Sequence, residues 1–282
     1  MKIVTWREML RSAGADLSSS QEARWVVERA SGWDGAELWS HLDEAPPARA
    51  AEILSRMVER RVSGEPLQYV LGRWPFRGLD LVVDRRVLIP RPETETVAEV
   101  AAAELRRIGP RAPKVVDLGT GSGALALSIA AEFARARVWA TDASADALAV
   151  ARANLAGLGS LVAVRVRLTE GSWWAALPPD LRGQVDLVVS NPPYVATDEA
   201  LPPEIAEWEP VSALRAGPTG LEALTEIVAE APVWLARPGV LVTEIAPHQA
   251  EPAVALAMEA GFAHVEVRPD FAGRPRSLVA SI

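Results

Sequence analysis

A chain of 282 residues with 49% hydrophobic content fits one or two domains and has ample apolar material for a core. It contains no cysteine, which excludes disulfides and thiolate chemistry. The net charge of −8 counts against a nonspecific nucleic-acid binder, and since residues 1–90 hold thirteen basic and thirteen acidic side chains, the excess acid lies entirely in the remainder. The histidines His41, His248 and His264 are too scattered for a zinc site, so no metal is expected. No apolar run reaches the roughly 18 residues of a membrane helix, and Met1 to Glu8 lack a signal-peptide apolar core. A cytoplasmic location is the expectation.

The first 66 residues read as a small all-helical domain. Ser18-Ser19-Ser20-Gln21-Glu22 offers two overlapping capping boxes before a helical stripe of Ala23, Val26, Val27 and Ala30, which Gly32 stops. A second stripe, Ala50, Ile53, Leu54, Met57 and Val58, follows Pro46-Pro47. Trp6, Trp25, Trp33 and Trp39 are expected to build this unit's core, and its position suggests docking. Residues 67–90 read as a β-hairpin linker, with strands at Phe76 to Asp84 and Val87 to Ile89 and a turn near Asp84-Arg85-Arg86.

Residues 91–282 alternate in type. Helices are expected at Thr94 to Arg107, Ala124 to Phe133 and Ala145 to Leu155, and strands at Lys114 to Leu118, Val138 to Thr141, Val162 to Leu168 and Val185 to Ser190. Strands at Val240 to Ile245 and Val265 to Val267, flanking a helix at Gln249 to Ala260, complete an α/β, doubly wound parallel sheet. Residues 196–220 show no periodicity, which suggests a substrate-facing lid, and carry Asp198, Glu199, Glu204, Glu207 and Glu209, acids that either complement a basic partner or are simply solvated.

Gly119-Thr120-Gly121-Ser122-Gly123 joins a strand to a helix, where glycines let a ligand approach the backbone and the helix start offers N–H groups. Because Ala124 follows, the turn also fits a dinucleotide loop and does not by itself separate NAD from S-adenosylmethionine. Asp142, 21 residues beyond Gly121, stands where a carboxylate accepts from ribose hydroxyls, although a helix cap would use the same position. Asn191-Pro192-Pro193-Tyr194 ends the fourth strand counted from the glycine loop's own and faces the same crevice. It supplies acceptors where most backbones supply donors, with an aromatic face beside them, which suits a planar NH2 group. Together these sites suggest methyl transfer to an amide or amino nitrogen. Arg91, Glu93, Thr94 and Glu95 are candidates for lining the crevice, with helix capping as the plain alternative.

Over nearly its whole length the chain resembles the HemK/PrmC family. The resemblance rests on Pro66-Leu67-Gln68-Tyr69-Val70-Leu71-Gly72, Val87-Leu88-Ile89-Pro90-Arg91-Pro92-Glu93-Thr94-Glu95, the loop from Asp117 to Gly123, Asn191 to Tyr194, and Phe271-Ala272-Gly273-Arg274. It implies a class I S-adenosylmethionine-dependent methyltransferase domain, Rossmann-like, acting on the glutamine amide of the Gly-Gly-Gln loop in class 1 peptide chain release factors, with neither a membrane nor direct nucleic-acid binding. It assigns Gly119 to Gly123, Asp142 and Trp173 to the cofactor. Asn191, Pro192, Pro193 and Tyr194 become the catalytic tetrapeptide, and Asn191 also neighbours the cofactor. Ser172, Pro75 and Ala246 depart from the family's usual aspartate, glutamate and glycine. A glutamine methyltransferase of ribosomal protein and a nucleobase amino-methyltransferase are the nearest alternatives, followed by an NAD-dependent oxidoreductase and a non-catalytic adaptor.

Overall fold

The first two helices start where a side chain satisfies a free amide. Thr5 Oγ1 accepts from the Glu8 amide at 3.4 Å while Glu8 Oε2 accepts from the Thr5 amide at 3.3 Å, opening α1 (Trp6–Asp16). Of the two boxes expected at 18–22, Ser19 is the cap used: its Oγ accepts from the Glu22 amide ahead of α2 (Ser20–Ser31). Gly32, at φ 79°, ends that helix in the left-handed region. Then come α3 (Gly35–Ser40), α4 (Ala48–Val62) and α5 (Leu67–Leu71). The computed structural model describes residues 4–282, so the first three residues of the expected helical domain, which also open the stretch read for a signal peptide, lie outside the described residues. Trp6 is buried and meets Trp33 edge-on at 6.0 Å. Trp25 and Trp33 are half-buried and Trp39 is 54% exposed, because Leu38 takes the inward position on the short α3, so of the four tryptophans expected in the core only Trp6 is fully inside.

The hairpin forms earlier than its apolar pattern suggests. Strands β1 (Arg73–Phe76) and β2 (Leu79–Val82) pair around Arg77 and Gly78, at φ 45° and 76°. A two-residue hairpin turn needs left-handed residues at its centre, and these supply them. Asp84 makes only a local turn, accepting from the Arg86 amide at 3.0 Å; Val87 to Ile89 is not a strand, and residues 67–71 are helical.

Pro92 opens α6 (Pro92–Ile108), where a missing N–H costs nothing. Next are β3 (Lys114–Leu118), α7 (Ala124–Glu132), β4 (Arg137–Asp142), α8 (Ala145–Gly157), α9 (Ser160–Ala163), β5 (Val166–Glu170) and β6 (Val185–Ser190). The expected strand from Val162 begins instead as α9, and Leu161 and Val164 are among the most exposed apolar side chains. The remainder is β7 (Val195–Ala196), α10 (Pro203–Ala206), β8 (Arg215–Gly217), α11 (Glu222–Trp234), β9 (Leu235–Glu244), α12 (Ala250–Glu259), β10 (His264–Pro269) and β11 (Pro275–Ser281). Residues 196–220 are therefore not structureless, since β7 and β8 pair in parallel.

Seven strands form one sheet in the order β10, β11, β9, β6, β3, β4, β5. Five run parallel, and β11 is antiparallel to both β9 and β10, so the expected parallel sheet ends in an antiparallel hairpin. Neighbouring residues of β3 point to opposite faces: Val115 packs with Leu127 and Val138, Val116 with Ile227 and Leu241. The chain divides into two compact units, one comprising the chain up to Arg73 with Pro202–Trp208, the other Trp74–Leu201 with Glu209–Ile282. In the first, Glu204 pairs with Arg61 at 3.1 Å.

Candidate active site

Strand register decides which residues meet at the sheet's C-terminal edge. Leu118 of β3 pairs with Ser190 of β6, which pairs in turn with Thr243 of β9. The residues that follow, Gly119, Asn191 and Glu244, are thus brought side by side. On the other flank Leu118 pairs with Thr141, one residue before Asp142. From β3 the chain builds outward to β4 and β5 and then returns to place β6 on the opposite side, so this edge is the topological switch point where open α/β sheets bind ligands.

A cavity of about 310 Å³ opens there. Gly119, Thr120, Gly121, Ser122, Asp142, Trp173, Asn191 and Pro193 line it; Gly123, Pro192 and Tyr194 do not. Gly123 instead serves the turn: at φ 88° a Cβ would stand 2.9 Å from Leu127 Cδ1. Arg86, Val87, Leu88 and Pro90, expected in the linker, also line the cavity, as does Ser172. Of Arg91, the N-cap residue of α6, and Glu93, Thr94 and Glu95 in its first turn, only Thr94 reaches it. Glu93 accepts from Arg274 at 3.1 Å, Glu95 accepts from the Arg77 amide at 3.2 Å, and Arg91 pairs with Glu209.

Asp142 joins the two loops it lies between. Its Oδ2 accepts from the Gly121 amide at 2.8 Å and its Oδ1 from the Ser144 amide at 2.9 Å, while Ser144 caps α8. Burial raises the Asp142 pKa above the usual carboxylate value, and the two amide donors oppose that rise. Each oxygen keeps acceptor capacity beyond its single bond. Trp173 holds φ 40°, a region that bulky residues rarely adopt, and its ring crosses Gly119 so closely that a Cβ there would sit 3.2 Å from Trp173 Cζ3. Asp117, fully buried behind the loop, accepts from Thr120 Oγ1 at 2.6 Å and from the Ala126 amide at 3.1 Å. Burial lifts its pKa to about 7.

Behind Asn191 stands a group that motif reading missed. Glu244 is buried at the end of β9 and accepts from Thr94 Oγ1 at 2.7 Å and from the Tyr194 hydroxyl at 3.4 Å, with Arg276 Nη1 at 3.8 Å. Asn191 Nδ2 donates to Thr94 Oγ1 at 3.1 Å, and Asn191 Oδ1 is buried with no partner. Burial raises the Glu244 pKa to about 7, against the Thr94 and Arg276 contributions. The Tyr194 pKa is raised as well, chiefly by burial and further by Glu244. Gln249, also missed, donates to the carbonyls of Tyr194 and Gly220 and accepts from the Ala246 amide. The available signal was a lone acid, Glu244, inside the apolar run Val240 to Ile245.

The wall fits an adenosine-bearing ligand, because it sets an indole ring, a carboxylate with spare acceptor capacity and a loop of alternating glycines and small hydroxyl residues around one cavity. Among the described residues no cluster of three His, Asp or Glu is placed to hold a metal, and no helix is long and apolar enough to cross a membrane.

A glycine turn after the central strand, an acid closing the next strand and a cavity at the switch point suit a nucleoside-bearing cofactor, and the match to the methyltransferase small domain places the fold among the class I S-adenosylmethionine-dependent methyltransferases. Family models for the PrmC N-terminal domain and the methyltransferase small domain match residues 3–72 and 98–207. The release factor glutamine methyltransferase of Cereibacter sphaeroides is 41% identical over 275 residues, 97% of this chain and 94% of that one; that of Bordetella pertussis is 43% identical over 257 residues, 90% and 92%. The chain belongs to the release factor glutamine methyltransferase family. A methyltransferase structure from Pyrococcus furiosus shares the fold at 20% identity and a TM-score of 0.53, covering 72% of this chain and 89% of that one.

Proposed function

We propose that this enzyme methylates the side-chain amide nitrogen of the glutamine in the Gly-Gly-Gln motif of class 1 peptide chain release factors. The observation that carries this reading is Asn191 Oδ1, a buried acceptor without a partner in a residue that lines the cavity and is followed by prolines that bring no N–H. A primary amide offers two N–H donors. In this reading Asn191 Oδ1 takes one and the Pro192 carbonyl, which lies between the cavity-lining Asn191 and Pro193 without lining the cavity itself, takes the other, while Tyr194, its hydroxyl on Glu244, stands beside that amide.

S-adenosylmethionine would be held by Gly119 to Ser122, Asp142 and Trp173 and would supply an electrophilic methyl group on a positively charged sulfur. An amide nitrogen is a weak nucleophile because its lone pair is delocalised, so orientation matters more than a strong base. As positive charge develops on the nitrogen, the two acceptors hold its N–H groups more strongly than in the ground state. The proton it releases passes to solvent. Such a substrate is met in the cytoplasm, and neither a membrane nor direct nucleic-acid contact is required.

Radiolabelled S-adenosylmethionine should label a class 1 release factor and not its variant with Gln→Ala in the Gly-Gly-Gln loop. Label on a ribosomal protein or nucleic acid in place of the factor would overturn this assignment. Asn191→Ala should lower turnover by roughly 100-fold or more, with cofactor affinity by calorimetry changed little. Equal losses in both would contradict the role given to Asn191.

A further inference from the structure

We propose that Glu244 and Thr94 are positioning residues that dictate which way the Asn191 amide faces. The inference rests on the reading above, in which Asn191 Oδ1 receives the substrate.

The argument is one of donor counting. An ionised carboxylate can only accept, so Glu244 Oε2 takes the single hydroxyl proton of Thr94, at 2.7 Å. Thr94 Oγ1 then has only lone pairs left, and the group 3.1 Å away must donate to it. Asn191 therefore turns its NH2 to Thr94 and its Oδ1 the other way. Without that direction the side chain is free to flip, and a flipped asparagine would present two donors to a substrate that itself brings donors. The same carboxylate accepts from Tyr194 through its other oxygen, at 3.4 Å, so one buried acid on β9 holds two residues of the tetrapeptide. Thr94 and Glu244 are each at most 3% exposed, which keeps water from replacing either link. The three side chains come from α6, the exit of β6 and the end of β9, and the register that sets Ser190 beside Thr243 brings the last two together.

The relay has a consequence that ordinary packing lacks: Thr94 acts only through Asn191. Thr94→Val keeps the shape and removes the hydroxyl. It should lower kcat by roughly 10- to 100-fold while S-adenosylmethionine affinity by calorimetry stays within about threefold, and Thr94→Ser should recover most of the loss. In an Asn191→Ala background the same change should cost less than about twofold, since nothing remains to orient. If Asn191→Ala itself leaves turnover intact, the functional reading fails and the relay with it. If Asn191→Ala is impaired but Thr94→Val is not, or the two losses multiply, or Thr94→Val weakens cofactor binding as much as turnover, the relay alone is overturned.

Discussion

Glu244 shows how one buried charge can be both an expense and a control. Its carboxyl is sealed from water, and burial lifts its pKa to about 7 from an ordinary 4.5. Thr94 from α6, Tyr194 beyond β6 and Arg276 of β11 face it and favour the ionised form, while Glu93 of α6 opposes it; Asp270 Oδ2 shares Arg276, 3.8 Å from its Nε. Only the ionised form obliges Thr94 to donate. Turnover should therefore fall as pH drops through about 7 and level off above it, and Glu244→Gln, which cannot titrate, should lack this acid limb whatever its absolute rate. A pH profile of kcat for both proteins checks this; matching limbs would assign the titration elsewhere. The glycine loop, Asp142 and the tetrapeptide were legible in the sequence because each is a short string with its chemistry written locally. Glu244 was not, because its donors Thr94 and Tyr194 lie 150 and 50 positions away in the chain, and only the β6–β9 register together with the placement of α6 brings them to it.

At the scale of elements, the βα alternation was readable from periodicity, whereas the exceptions follow from backbone conformation and buried polar groups. The hairpin turn fell at Arg77-Gly78, where Gly78 takes positive φ freely and Arg77 is held at φ 45° with its amide donating to Glu95, features that an apolar pattern does not encode. β11 escaped detection because its apolar run, Leu278 to Ala280, is only three residues long and follows the polar pair Arg276-Ser277; both of these are buried, the arginine beside Glu244 and Asp270, and so count as interior residues. β2 is held in place by a side chain standing in for a strand. Asn154 of α8 accepts from the Val82 amide at 2.7 Å and donates to the Val82 carbonyl at 3.1 Å and the Ser122 carbonyl at 2.8 Å. One asparagine thus ties the hairpin to the glycine loop. Asn154→Ala removes all three bonds and should lower stability by roughly 2 kcal/mol, read as a reduced urea midpoint with unchanged slope. An unchanged midpoint would mean that solvent replaces the clamp without loss.

At the scale of the whole molecule, the cavity needs walls that a sheet edge alone does not provide. One wall comes from Val87, Leu88 and Pro90, another from Pro210, Ser212 and Ala213, more than a hundred residues later. Glu209 fastens them. Its side chain is 1% exposed, pairs with Arg91 through Oε1 and accepts from the Ile89 amide at 3.1 Å through Oε2. What sequence reading took as one more acid of a solvated or substrate-facing lid is therefore a staple, and that difference was hidden because its partners precede it by 118 and 120 positions. Removing Glu209 leaves the buried Ile89 amide and the part-exposed Arg91 without their acceptor, at a cost of about 2 kcal/mol. Glu209→Ala should show that loss in thermal or chemical unfolding and should also weaken S-adenosylmethionine binding by roughly tenfold, since the staple sets the spacing between the two walls. The two effects separate in a calorimetric titration performed well below the variant's unfolding temperature. Weakened binding there marks Glu209 as a determinant of cavity shape, whereas intact binding in a destabilised protein would confine its role to folding.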